Sequence, residues 1–418
     1  MHFKATESMH EKLVQSLENQ IDFQEFKLTS LLEITNAINT KQPVEILTKI
    51  LGFILKEQLG FSKFILLHKQ ENWKTLLKTG VKGSIKEEAI IANLARFKEI
   101  TSIESSPSEI IAQFDSIVPV FHQKAPLAYL LISGESIKNK PSAETINNMR
   151  FVQTLANIIV VAIENQRMMQ VSIKQARLKK ELEVASEMQK MLFPSDLPSN
   201  RKLDVHAKYT SRHQVGGDYY DFIQLSEDEY IICIGDVSGK GISAAMLMAN
   251  FQATLRALYT YQQFELDFLI EELNKKVMKN AKGEKFITFF IAKYNIETRK
   301  LTYINAGHNH PIITNGKTYE LLDKGTIGLG MMEDLPFLKM GSLQLEPNST
   351  LVMYTDGIIE LENEKNEFFE LDRLIKLVHN YYPLKMEDMN NIIFSKLDEW
   401  RASRNYVDDT AIFSCRFF

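Results

Sequence analysis

Gly235-Asp236-Val237-Ser238-Gly239-Lys240-Gly241 separates a short apolar run, Tyr230–Ile234, from a longer helix-like one, Ile242–Tyr259. The first run has the length of a strand, and the glycines allow a sharp turn into the helix. A second helical stretch, Phe264–Ala281, follows at once. The next strand-like runs are Phe286–Tyr294, Leu301–Asn305 and Thr350–Tyr354. Two consecutive helices set between strands predict sheets covered by helices, an α+β fold, and not an alternating parallel βαβ fold.

Three more acidic clusters lie beside predicted strands: Gly216-Gly217-Asp218-Tyr219-Tyr220-Asp221, Thr355-Asp356-Gly357 and Asp408-Asp409. A lone Gly-Asp or Asp-Gly is usually a turn. Four such clusters in order within residues 195–418 make a joint case for chemistry. A strand end holds a carboxylate on a rigid frame, and glycine lets backbone approach a ligand closely. Carboxylates brought together repel unless a cation neutralises them, and aspartate oxygens are hard ligands that suit Mg²⁺ or Mn²⁺.

Other motifs fit less well. Gly239-Lys240-Gly241 is not a P-loop, since its spacing is short and Ser or Thr does not follow the lysine. His308 and His310 have a zinc-like spacing but no third Cys or His nearby, so a structural loop is the better reading. Gly216-Gly217-Asp218 opens like a diguanylate cyclase signature, but Tyr219-Tyr220 follows where Glu-Phe would, and the downstream aspartates are left without a role.

Upstream, residues 1–40 read as helix, with Leu13, Leu17 and Ile21 at a spacing of four and no Gly or Pro. A surface helix and a short dimer coil both fit this pattern. In residues 41–165 a helical pattern through Ile46, Leu47, Ile50, Leu51 and Ile54 ends near Gly60. Strands are expected at Phe61–His68, Ser116–Phe121 and Leu127–Ser133, the last two joined by a turn at His122–Pro126. A final helix begins after Pro141 and meets no Gly or Pro from Phe151 to Leu192. Residues 166–194 form a helical linker. Met168, Val171, Gln175, Leu178, Leu182, Ala185, Gln189 and Leu192 alternate steps of three and four. This is an imperfect heptad seam with polar breaks, favouring a parallel dimer coil over a linker lying on its own domains. Phe193-Pro194 ends the helix.

The 418 residues leave room for two or three domains. The net charge of −4 argues against a nucleic-acid coat, which needs a basic surplus. Cys233 and Cys415 are too few for a disulfide framework and fit a reducing compartment. The N-terminus has no apolar leader core, and the longest apolar run, near Ile158–Ile163, is far short of a membrane span. A cytoplasmic protein is expected.

VGGDYYD, GDVSGKGISAAMLMA, NAGHNHP, LVMYTDGIIE and DDTAIFSCRF, in that order, resemble the PPM (PP2C-type) phosphatase domain of the SpoIIE/RsbU branch. The lead-in ELEVASEMQKMLFPSDLP resembles the helix that precedes that domain, so the likeness covers residues 180–418. The helix–strands–helix order of residues 41–165 resembles a GAF sensor domain, with no cysteine there to hold a bilin. The resemblance implies a GAF-like α/β sensor, a long coiled-coil linker and, over 195–418, a PPM-type β-sandwich flanked by helices. It implies a protein serine/threonine phosphatase in which two Mn²⁺ or Mg²⁺ ions activate a water. Asp218 is then a metal ligand, Asp236 bridges both ions, Val237 contributes its carbonyl, and Asp356 and Asp408 complete the shell. Gly217 and Gly357 permit close backbone approach. The family's closing motif often reads Asp-Asp-x-Thr, whereas here Thr410 precedes Ala411. That keeps Asp409 in view beside Asp408, which an ungapped match through Arg416 favours. Arg212 near Asp218 is a candidate phosphate contact, with a solvated loop arginine the stronger reading. The implied substrate is a phosphorylated STAS-domain anti-sigma-factor antagonist in a partner-switching pathway, and the implied assembly is a homodimer through the helical segments. An input signal is expected at the GAF-like domain. The competing reading is a non-catalytic GAF–phosphatase-fold scaffold, which metal titration would distinguish.

Overall fold

A computed structural model of the chain describes residues 2–83, 85–103, 108–122, 125–134, 143–261 and 264–418. Two units emerge, Met1–Ala176 and Arg177–Phe418.

The first unit comprises α1 (His2–Asn39), α2 (Val44–Phe53), β1 (Lys63–Lys69), β2 (Trp73–Thr79), α3 (Glu87–Leu94), β3 (Thr101–Ser102), β4 (Ser116–His122), β5 (Ala125–Ser133) and the first part of α4 (Ala143–Lys190). Its antiparallel sheet has the order β2-β1-β5-β4-β3. Period-two alternation sends Phe64, Leu66, Leu130 and Ile132 to one face, where they pack with Leu47, Leu51, Leu155 and Ile159 of the helices. Ile65, Leu67, Tyr129 and Leu131 go to the other face, against Ile90 and Leu94 of α3. Covering both faces explains why these strands read as unbroken apolar runs. The three expected strands form within two residues of their expected bounds. β2 and α3 were not expected. Part of the turn expected at His122–Pro126, residues 123 and 124, lies outside the described residues.

The second unit opens with the end of α4 and continues through β6 (Leu203–Thr210), β7 (Tyr219–Gln224), β8 (Glu229–Val237), α5 (Ile242–Tyr261) and α6 (Leu266–Ala281). Next come β9 (Ile287–Asn295), β10 (Lys300–Ala306), β11 (Ile312–Thr314), β12 (Tyr319–Leu321), β13 (Gly325–Thr326), β14 (Gly341–Gln344) and β15 (Ser349–Tyr354). The chain ends with α7 (Asp356–Ile359), α8 (Leu371–Asn380), α9 (Met386–Arg401) and β16 (Thr410–Phe417). One sheet has the order β13-β10-β9-β8-β7, with β14 also on β10; the other has the order β12-β11-β15-β16-β6.

The two sheets stack face to face. Ile232, Ile234 and Phe290 of the first meet Leu351, Met353 and Phe413 of the second. On the outer face of the first sheet, Ile231, Cys233 and Phe289 pack under Met248 and Phe251 of α5 and Leu269 and Leu273 of α6. On the outer face of the second, Val352 and Ile412 pack under Leu374 of α8 and Ile393 and Leu397 of α9. The result is a four-layer helix–sheet–sheet–helix sandwich, in keeping with the expected α+β class. Consecutive isoleucines in β8 are buried because alternate residues serve two different cores. Among the described residues no helix is long and apolar enough to cross a membrane.

Candidate functional site

Strand register gathers the aspartates at one end of the sandwich. Tyr219 pairs with Gly235, which sets Asp218, just before β7, beside Asp236 near the end of β8. Tyr354 pairs with Ile412, which sets Asp356, just past β15, beside the start of β16 and the preceding Asp408-Asp409. Hydrogen bonds tie the two sheets together there. Thr355 donates its hydroxyl to Asp218 Oδ2 at 2.8 Å and accepts the Ala411 amide at 2.9 Å. The Gly217 amide donates to Asp409 Oδ2 at 2.7 Å, and the Arg212 amide donates to Asp409 Oδ1 at 2.8 Å.

Two glycines are required by close approach. A Cβ on Gly217 would lie 3.0 Å from the Val237 carbonyl and 3.4 Å from Asp236 Oδ1. A Cβ on Gly357 would overlap the Asp409 carbonyl. Both backbones therefore press against the segments that carry the acids.

The electrostatics are those of crowded carboxylates. Burial is the largest influence on Asp218 and, with the nearby Asp236 and Asp409 charges, holds its carboxyl well above the usual range. Asp236 is pushed up to about 7 by burial first and by the Asp356 carboxylate second. Asp356 is pushed up to about 6, again chiefly by burial, with Glu360 and Asp408 adding repulsion. The Lys240 ammonium lies at the mouth, 2.5 Å from Asp408 Oδ2.

A pH dependence follows. Raised pKa values mean that the metal-free folded state binds more protons than the unfolded chain between about pH 4 and pH 7. Unfolding free energy then falls as pH rises through that window. These carboxyl groups are expected to make the metal-free protein melt at a higher temperature at pH 5.5 than at pH 8. Added Mn²⁺ should reverse the order, since it competes with protons. Thermal melts with and without EDTA at both pH values check this.

Several motif residues have other duties. Asp221 turns away from the cluster: its carboxylate takes the Arg256 guanidinium at 2.7 and 2.8 Å and the Tyr219 hydroxyl at 2.6 Å. The Arg212 guanidinium donates to the Val407 carbonyl. His308 is buried, with its Nδ1 2.9 Å from the Thr288 hydroxyl, and burial lowers its pKa to about 4. His310 is exposed. Asp409 is the buried member of its pair, with both oxygens engaged by backbone amides, whereas Asp408 is half-exposed.

No sequence signal places Thr355, Tyr209 or Gln189 near the site, and spacing puts Gln189 on the heptad seam. Thr355 was visible only as the neighbour of Asp356. The Tyr209 hydroxyl is buried, and the Asp409, Asp218 and Asp236 charges help burial to raise its pKa. The two amide atoms of Gln189 meet the backbone of Gly216.

The donor set suits a hard divalent cation. It is all oxygen, with Asp218 buried, Asp236, Asp356 and Asp408 half-buried, and the Val237 carbonyl close to Asp236. Among the described residues no three His, Cys, Asp or Glu side chains are grouped closely enough to hold an ion as they stand. The carboxylates feel one another electrostatically without converging on a point, so the fold supplies donors and neighbourhood rather than a finished coordination shell.

Comparison with known proteins bears on this arrangement. Residues 226–418 match the family model described as stage II sporulation protein E (SpoIIE). The chain is 31% identical to phosphoserine phosphatase RsbU of Bacillus subtilis over 241 residues, 57% of this chain and 70% of that protein. It is 27% identical to phosphoserine phosphatase RsbP of the same organism over 186 residues, 44% of this chain and 46% of that protein. In three dimensions it resembles the SiaA-PP2C domain of Pseudomonas aeruginosa, with a TM-score of 0.53 at 19% identity. That match covers 59% of this chain and 99% of the other. The four-layer sandwich is therefore a PP2C-like fold.

Proposed function

This chain belongs to the SpoIIE/RsbU family of PP2C-type serine phosphatases, a metal-dependent family, and from that premise we propose that it hydrolyses phosphoserine or phosphothreonine on a bacterial regulatory protein. The observation that carries the reading is the gathering of Asp218, Asp236, Asp356 and Asp408 at one end of the sandwich by strand register. The substrate class is a phosphorylated STAS-domain anti-sigma-factor antagonist in partner-switching signalling.

When bound, two divalent ions supply a water of lowered pKa and neutralise charge on the phosphoryl oxygens. The chain's own residues set where this happens. Asp218, Asp236 and the Val237 carbonyl would hold one ion, and Asp236, Asp356 and Asp408 would hold the other. Thr355 fixes Asp218 Oδ2 through its hydroxyl. Asp409 uses both oxygens on backbone amides and acts as a clamp for the Gly217 turn, which leaves Asp408 as the ligand of the pair. Asp408 would hold the metal in place of its ion pair with Lys240.

The first unit acts as a GAF-like sensor. Its support is a five-stranded antiparallel sheet with α1, α2 and α4 packed on one face and α3 on the other. The sensor communicates through α4, which runs unbroken from Ala143 to Lys190. A homodimer through the helical segments is supported by exposed Val14, Leu17, Ile21 and Leu28 on α1, whose spacings are those of a heptad seam.

The test is release of phosphate from a STAS-domain protein phosphorylated on serine. Release is expected with Mn²⁺ and not with EDTA. Intact phosphoprotein after incubation with Mn²⁺, at enzyme concentrations approaching those of substrate, would favour the scaffold reading instead.

A further inference from the structure

Along α4 every residue from Arg167 to Glu181 is exposed, and Gln189 is the first fully buried one after that stretch. Its amide is spent on a single backbone residue. Gln189 Nε2 donates to the Gly216 carbonyl at 2.8 Å, and the Gly216 amide donates to Gln189 Oε1 at 3.1 Å. Just beyond, the Leu192 carbonyl accepts from Gln252 of α5 at 3.3 Å, and the Phe193 ring stacks on Tyr220 with centroids 4.7 Å apart. The helix thus docks on its own catalytic unit through its last turn.

Gly216 stands one residue before Gly217 and two before Asp218. A Cβ on Gly216 would overlap the Tyr209 hydroxyl and Asp409 Oδ2, so the segment is enclosed on the side away from Gln189 as well. A contiguous set of contacts therefore runs from Gln189 to the Gly216 backbone, on to Gly217 with its bond to Asp409, and then to Asp218 with its bond to Thr355. A side chain that grips both polar atoms of one peptide residue fixes position and tilt together.

We propose that Gln189 is a positioning residue for divalent-metal binding: the end of the linker helix sets the Asp218 loop through this two-point grip on Gly216. The proposal rests on the reading of Asp218 as a metal ligand. It gives the linker a specific lever, because any shift of its last turn is transmitted first to the metal-binding loop. Gln189 spends both amide atoms on the Gly216 backbone, so it acts through that loop. Its removal should weaken metal binding more than it affects substrate binding. Outer partners of metal ligands typically contribute about 10–100-fold in affinity.

The test compares wild type, Gln189→Met, Gln189→Glu and the surface control Met188→Ala, all as the full chain. The Mn²⁺ concentration at half-maximal hydrolysis of p-nitrophenyl phosphate and the Mn²⁺-induced rise in melting temperature are both read. Gln189→Met keeps the volume and loses both bonds. It is expected to need about tenfold more Mn²⁺ in both assays, with an unchanged KM at saturating metal. Gln189→Glu keeps the acceptor for the Gly216 amide and, when ionised, loses the donor to the Gly216 carbonyl; it is also expected to need more Mn²⁺ than wild type in both assays. Met188→Ala should match wild type. If Gln189→Met does not fold, the Mn²⁺ dependence of Gln189→Glu decides alone. Wild-type Mn²⁺ dependence in both Gln189 variants overturns the positioning role and leaves the phosphatase reading intact. A wild type indifferent to Mn²⁺ overturns both.

Discussion

Asp236→Asn is expected to lower kcat/KM for phosphoserine hydrolysis by at least about 10³-fold, equivalent to roughly 4 kcal/mol of transition-state stabilisation. Asp236 sits near the end of β8, opposite Thr288 of β9, and its carboxyl is influenced by Asp356, Asp218, Asp408 and Asp409. Asparagine preserves shape and removes the charge on which a shared ligand depends. The same change relieves repulsion in the metal-free protein. Metal-free Asp236→Asn should therefore melt at or above the wild-type temperature at pH 8, while its Mn²⁺-induced stabilisation disappears. A variant that loses activity because it is poorly folded would show the opposite thermal behaviour, so the melt separates the two explanations.

Gly357→Ala is expected to reduce activity by about 10²-fold and stability by roughly 1–3 kcal/mol. The added methyl would overlap the Asp409 carbonyl and come within 2.9 Å of the Thr410 hydroxyl oxygen. Backbone, unlike the tip of a flexible side chain, has little freedom to yield. Movement of the β16 entry shifts Asp408 and Asp409 together and loosens the Gly217 turn that Asp409 holds. At about 2–4 °C per kcal/mol for a unit of this size, a fall in melting temperature of several degrees should accompany the kinetic loss. Unaltered kinetics and stability would mean that the two segments are not in fixed contact.

Much of this was legible in the sequence because glycine beside aspartate at a strand end is a local signal. Each of the four clusters announces itself within a few residues. β9, β10 and β15 read clearly because burial on both faces makes them largely apolar, whereas the short strands β11–β14 were not anticipated. The helices α8 and α9 and the strand β6 were not anticipated. β6 carries polar residues, including His206 and Lys208, at positions left partly exposed. Asp221 is instructive. It lies in a cluster with Asp218, yet alternation within β7 puts Tyr219 and Asp221 on the α5 side, where Arg256 awaits it. The two-residue period was present in Tyr219-Tyr220-Asp221-Phe222 and could have separated it from the metal ligands. Lys240 reads as part of a glycine-rich turn, and its partner Asp408 is remote in sequence, so no local pattern could reveal the ion pair. Gln189 falls on the heptad seam as a polar break. Helical periodicity gives the direction of a side chain and not the identity of what it meets, and only the folded chain reveals that this position turns into its own catalytic unit.

If the end-of-sandwich carboxylates form the divalent-metal centre of a phosphatase, Mn²⁺ must bind there. Calorimetric titration of the metal-free full chain with Mn²⁺ at pH 8 measures this. Saturable binding of two ions with release of protons is expected, abolished or halved in stoichiometry by Asp236→Asn. Absence of binding heat, or superimposable isotherms for wild type and Asp236→Asn, would rule the metal centre out.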